Sequence, residues 1–125
     1  MEACAGCVEM RTALAEEFRS LQGMFVALGD KTRQQIFLTL LESEQIGLRV
    51  GELTVRSHLS RPAVSHHLRI LKDTGLVRMH REGTQNYYYA NVEINCWQAL
   101  SALADHVCTA GKYADAVGYP NLGEE

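Results

Sequence analysis

Leu59-Ser60-Arg61-Pro62-Ala63-Val64-Ser65-His66-His67-Leu68-Arg69-Ile70-Leu71-Lys72-Asp73-Thr74-Gly75 is the stretch on which the reading of the fold turns. Ser60 can accept a hydrogen bond from a free backbone N–H of a helix start, and Pro62 falls in the first turn, where a missing N–H costs nothing. Val64, Leu68 and Leu71 recur at helical spacing and form one apolar stripe, and Gly75 stops the helix. The outward face carries Ser65, His66, Arg69 and Lys72, with Arg61 at its start. This predicts an amphipathic helix over Arg61–Thr74, with one side buried and the other polar and basic.

The segments on either side give this helix a setting. Downstream, Leu76–His80 and Tyr87–Ala90 read as two short strands around the polar turn Arg81-Glu82-Gly83-Thr84-Gln85-Asn86. Upstream, Gly51-Glu52-Leu53 opens a short helix to about Ser57, joined to the next by His58-Leu59-Ser60. Leu14, Phe18, Leu21, Phe25 and Leu28 form one helical stripe that Gly29 ends. Asp30 can cap a second helix that buries Ile36, Leu40 and Leu41 and stops at Gly47. A last helix begins near Val92 or Glu93, with Trp97, Leu100, Ala104 and Val107 on one side. After Gly111 the pattern is lost.

The predicted fold is therefore mainly α with a small β-hairpin. Its order is helix, helix, short helix, helix, strand, strand, helix, which is a winged helix-turn-helix. The expectation is a single domain over residues 1–125, with 1–8 and 112–125 flexible.

The chain has 125 residues and a formal net charge of −3. That charge is unevenly spread: Arg49–Glu82 holds seven Lys/Arg against three Asp/Glu, and the rest of the chain is acidic. A basic middle on an acidic body suits a protein that meets phosphates with one face. The N-terminus lacks a secretion signal and no segment reaches membrane-spanning length, so a cytoplasmic protein with no membrane partner is expected. No glycine-rich phosphate loop, Ser/His/Asp arrangement or paired carboxylates can be argued, so no enzyme is expected.

An exposed polar helix face can enter the major groove of DNA and meet base edges. Ser60, Ser65 and His66 are placed to reach bases or phosphates, and Arg61, Arg69 and Lys72 to reach phosphates. At the hairpin tip Arg81, Thr84 and Gln85 can lie over the neighbouring backbone or minor groove. For any one of these residues the competing reading is an ordinary solvated helix face. For the whole chain, a winged-helix module that binds another protein is the alternative. His67 is expected to support packing, and His58 to cap or fill the turn.

Three segments resemble one known family. Phe25-Val26-Ala27-Leu28-Gly29-Asp30-Lys31-Thr32-Arg33 is similar to its "ALGDPTR" opening. Leu59–Leu71 is similar to its "LSQSAVSHHLKVL" helix, and Gly75–Gly83 to its "GLV…REG" wing. The family is ArsR/SmtB, bacterial transcriptional repressors, and the resemblance runs from about Phe18 to Val107. It implies a homodimer through the first and last helices and an inverted-repeat double-stranded operator. It also implies release by a metal, a metalloid or an oxidant.

The inducer-binding places of that family differ here. The thiols of its "ELCVCDL" helix are missing from Glu52-Leu53-Thr54-Val55-Arg56-Ser57-His58. Of its zinc positions in the last helix, here Glu93, Asn95, His106 and Thr109, only Glu93 and His106 suit a metal. There remain Cys4, Cys7, Cys96 and Cys108. Twelve residues along one helix separate Cys96 from Cys108 by roughly 18 Å. The resemblance implies antiparallel last helices across a dimer, which would bring Cys96 toward Cys108 of the partner subunit. Cys4-x-x-Cys7 has chelate spacing. Such thiols suit As(III) or a soft divalent metal such as Zn or Cd. The alternatives are a redox or persulfide sensor using a cysteine pair, or merely buried thiols.

Overall fold

The structure, a computed structural model, describes residues 5–116, with the side chains of 94–96 and 113–116 left aside. Its elements are α1 (Ala5–Ser20), α2 (Gln22–Leu28), α3 (Lys31–Glu42), α4 (Val50–Ser57), α5 (Arg61–Asp73), β1 (Val77–Glu82), β2 (Gln85–Ala90) and α6 (Ile94–Ala116). The order is the expected one, except that the predicted first helix is two, broken by a turn at Leu21. Of the ends expected to be flexible, 5–8 and 112–116 are helical, and 1–4 and 117–125 lie outside the described residues. None of the helices among the described residues is long and apolar enough to cross a membrane.

The chain divides into two compact units: Gln22–Cys96, and the unit in which α1 accompanies α6 from Trp97 onward. In the first, Ile36, Phe37 and Leu40 of α3 and Leu53 of α4 are buried with Val64, Leu68 and Leu71 of α5 and with Leu76 and Val77 at the wing. Leu41 was expected inside with Ile36 and Leu40, but it is 45% exposed, and Phe37 takes the inward place. The stripe Ile36-Phe37-Leu40 follows the period of 3.6 more closely than one ending on Leu41.

Helix ends in this unit are closed by side chains. Asp30 accepts the Arg33 N–H at 2.9 Å and so caps α3. Arg33 in turn donates from Nε to the Ala27 carbonyl at 2.8 Å and from Nη2 to that of Val26 at 3.2 Å. It thereby adds donors to carbonyls at the C-terminus of α2, of which that of Val26 also accepts the Gly29 N–H at 3.2 Å. The turn between α4 and α5 passes through His58, at φ 59°, whose N–H returns to the Thr54 carbonyl. Histidine is among the few residues that enter the left-handed region readily, which is how His58 caps the turn.

β1 and β2 pair antiparallel from Val77↔Ala90 to Glu82↔Gln85. The strands run further than expected and leave only Gly83-Thr84 as the turn. Gly83 leads it with φ 60°, where a two-residue hairpin turn of type II′ needs glycine. Leu48 exchanges both backbone hydrogen bonds with Tyr88 at 2.8 Å, so the segment before α4 adds a third short rung to the hairpin. The approach is close: at Gly47, φ 99°, an added Cβ would lie 3.0 Å from Tyr87 Cβ. Asn91 is buried and donates from Nδ2 to the Gly75 carbonyl at 2.7 Å, and its N–H bonds to that of Leu76. It fastens the exit of the hairpin to the end of the α5 segment.

In the second unit Cys7 and Leu103 are buried, and His106 Nδ1 lies 2.7 Å from Glu17 Oε1. The stripes expected here are only half inside. Phe18 is 50% exposed, Val107 is 50% exposed and Ala104 is exposed, while Leu103 takes the inward place.

Candidate nucleic-acid interface

α5 is split cleanly by side. Val64, Leu68 and Leu71 are 0–1% exposed, while Arg61, Ser65, His66, Arg69 and Lys72 are all exposed. The cause is local: a helix of period 3.6 with apolar residues at three linked positions must turn the others outward once that stripe is buried. The Ser60 hydroxyl accepts from the Ala63 N–H at 3.3 Å and so serves the helix start. Its own O–H remains a donor.

His66 and His67 sit in sequence but in different surroundings. Their rings are 5.6 Å apart and tilted. His66 is exposed, and His67 is half-buried with a buried Nδ1 that has no hydrogen-bond partner among the described residues. Burial holds the proton affinity of His67 below the ordinary histidine value, against an opposing pull from Asp30. A neutral ring places its acceptor nitrogen in the core at least cost. His67 is thus a packing residue on the back of the helix that displays His66.

At the wing, Arg81, Thr84 and Gln85 are exposed, and Arg81 Nε donates to the Gly83 carbonyl at 3.0 Å. The fold brings Gln85 to Arg61: both line one open depression of about 360 Å³ with Arg49, Gly51, Glu52 and Val55. Sequence reasoning passed over Arg49. Its signal was the basic residue just before Gly51-Glu52-Leu53, but only the hairpin's return places it beside Gln85.

Two of the candidate sensor cysteines have described side chains. Cys108 is exposed and unbridged on α6, and Cys7 is buried on α1. Cys96 belongs to α6, but its side chain is outside those described, and Cys4 lies outside the described residues altogether. No group of three or more His, Cys, Asp and Glu able to hold a metal occurs among the described residues. Glu93 is ion-paired with Arg78, His106 meets Glu17, and the Thr109 hydroxyl donates to the Asp105 carbonyl at 3.0 Å. Within the chain these three side chains thus already have partners.

A helix-turn-helix whose second helix is basic on its open face, with a two-stranded hairpin behind it, defines a winged helix-turn-helix protein. The comparisons give the family. The profile described as "Bacterial regulatory protein, arsR family" matches residues 30–79. The "Transcriptional repressor SdpR" of Bacillus subtilis is 34% identical over 74 residues, 59% of this chain and 79% of that protein. The "Arsenic resistance transcriptional regulator ArsR1" of Pseudomonas putida is 36% identical over 104 residues, 81% of this chain and 78% of that protein. A solution structure of a homodimeric winged helix-turn-helix DNA-binding domain from Mycobacterium bovis, a possible ArsR-family regulator, superposes with TM-score 0.56. It is 25% identical, and the match covers 87% of this chain and 91% of that one. The chain belongs to the arsR family of bacterial regulatory proteins, and is a transcriptional regulator.

Proposed function

We propose that this regulator is a repressor that binds double-stranded operator DNA with α5 in the major groove and the hairpin on the flanking backbone. The observation that carries this is the division of α5, with Arg61, Ser65, His66, Arg69 and Lys72 open and Val64, Leu68 and Leu71 closed. Ser60, Thr84, Gln85 and Arg81 complete the face. Homodimerisation is supported by the apolar side chains of Val8 on α1 and Val107 on α6, which are 46% and 50% exposed in one copy, and by the homodimeric relative. A two-fold dimer reads an inverted repeat, because its two reading helices are related by the same axis as the half-sites. A gel shift on the DNA upstream of its own gene, repeated across salt concentrations, tests the reading. Binding that ignores both salt and sequence refutes it and leaves the protein-interaction module.

Repression is relieved by a thiol-reactive inducer, As(III) or a soft metal ion such as Cd or Zn, taken by Cys96 and Cys108 with Cys4 and Cys7. The arsenic-resistance relative supports this. The exposed, unbridged thiol of Cys108 favours oxidation or persulfide formation as the second reading. Native mass spectrometry with thiol titration, with and without arsenite, Cd, Zn and persulfide, separates them. Cys96→Ser and Cys108→Ser proteins that leave the operator normally under every inducer refute both. The expected compartment is the cytoplasm, where the thiols stay reduced.

A further inference from the structure

The depression beside α5 brings Arg49 and Glu52, which the DNA face described so far does not include, next to Arg61 and Gln85, which it does. It lies between α4, the start of α5 and the tip of the hairpin, and is lined by Arg49, Gly51, Glu52, Val55, Arg61 and Gln85. Arg61 has no ion-pair partner among the described residues. Its guanidinium lies over α4, with Nη1 3.8 Å from where a Cβ on Gly51 would be. Arg49 uses only Nε, at 3.1 Å from Glu52 Oε1, so its two terminal nitrogens are left to donate. The same Glu52 oxygen also accepts the Arg49 backbone N–H at 3.2 Å. One oxygen of the carboxylate that lines the depression is thereby held at the helix start. Glu82, the cross-strand partner of Gln85, does not line the depression and lies 3.7 Å from His80 Nε2.

We infer that this depression seats a backbone phosphate of double-stranded DNA, with Arg49 and Arg61 as its cations and Gln85 as a neutral donor. The inference rests on the DNA-binding reading above. Two guanidiniums and the Gln85 amide N–H2 line the open hollow beside one carboxylate, so the lining is net cationic and rich in donors, the chemistry a phosphate oxygen needs. The seat adjoins both the start of the reading helix and the wing, so a phosphate held there fixes the register of the helix while carrying no sequence information. Glu52 tempers it: by sharing Arg49 it offsets part of the charge the phosphate would meet. Arg49 thus meets the phosphate directly, and Glu52, acting through Arg49, limits the strength of binding at that point.

The test is fluorescence anisotropy of the full chain, across salt, on a random-sequence duplex and on its own upstream DNA. Removing one phosphate contact lowers the slope of log affinity against log salt by about 0.9. Arg49→Gln should show that loss and weaken both duplexes by the same factor, with Arg49→Lys restoring most of it. Glu52→Gln keeps the acceptor for the Arg49 N–H and should tighten binding by about two- to tenfold through the lost carboxylate charge. An Arg49→Gln slope equal to wild type, while Arg69→Gln loses slope, overturns the seat and leaves the DNA face standing. If the wild-type chain shows no salt-dependent binding, the DNA reading itself has failed. Should Arg49→Gln melt early, Glu52→Gln decides: tighter binding supports the seat, and equal or weaker binding overturns it.

Discussion

Leu68 and Arg69 are neighbours in sequence on opposite sides of α5, so their substitutions should fail in different assays. Leu68 is 1% exposed, between Val64 and Leu71, which are both 0% exposed. Leu-to-Ala in such a place removes the transfer energy of the lost methyl groups and adds a cavity term, together about 2–5 kcal/mol. Contacts from α5 to α2, α3, α4 and β1 surround the site, so the upper half of that range is expected. Against a total stability of about 5–15 kcal/mol, that is a large share. With about 4 °C per kcal/mol for a domain of this size, Leu68→Ala should lower Tm by about 14–20 °C. Arg69 is exposed, so Arg69→Gln should leave Tm within a degree or two, since surface changes stay within about 0.5 kcal/mol. Its loss should instead take about 0.9 from the salt slope of DNA binding. Circular dichroism melts at one fixed protein concentration and anisotropy on the same samples measure both. A Leu68→Ala loss under about 1 kcal/mol would mean that the stripe is not a closed core. An Arg69→Gln protein that melts early but binds with unchanged slope would refute the assignment of its face.

Other outcomes follow from the same geometry. His67 has its folded proton affinity lowered by burial from the ordinary value of 6.5, so the unfolded chain binds protons more readily. Stability should therefore fall as pH drops through that range and recover above it, and denaturant titrations of His67→Gln should show a shallower pH dependence. Gly47→Ala should destabilise more than Gly83→Ala. Both have positive φ, but only Gly47 would place its Cβ 3.0 Å from Tyr87 Cβ, whereas Gly83 has nothing within 4 Å. Equal losses in urea titration would show that backbone strain, and not the close approach of the hairpin, sets the cost at Gly47. Ser60→Ala removes the acceptor of the Ala63 N–H and should cost about 0.5–2 kcal/mol. Recovery with Ser60→Asp but not with Ser60→Val would attribute that loss to the cap.

Much of α5 was legible in the sequence because its signals are local. A cap at Ser60, a proline in the first turn and an apolar stripe at Val64, Leu68 and Leu71 all act within one helix. Its exposed residues followed from the same periodicity, as did the hairpin from Gly83. What sequence alone missed involves surroundings. The break at Leu21 lies inside an unbroken apolar stripe, so periodicity by itself runs straight through the turn. Leu41, Phe18 and Val107 carry the same apolar signal as Phe37 and Leu103, and which of them is covered depends on neighbouring elements.

The local sequence thus determined that a basic-faced helix precedes a two-stranded wing, because capping, helical period and turn chemistry act over a few residues. The tertiary structure alone decided which side chains meet. The return of β2 along Leu48 carries Gln85 to Arg49 and Arg61. Residues 36 positions apart share one depression through hydrogen bonds between distant backbones, and that proximity has no signature in either segment taken by itself.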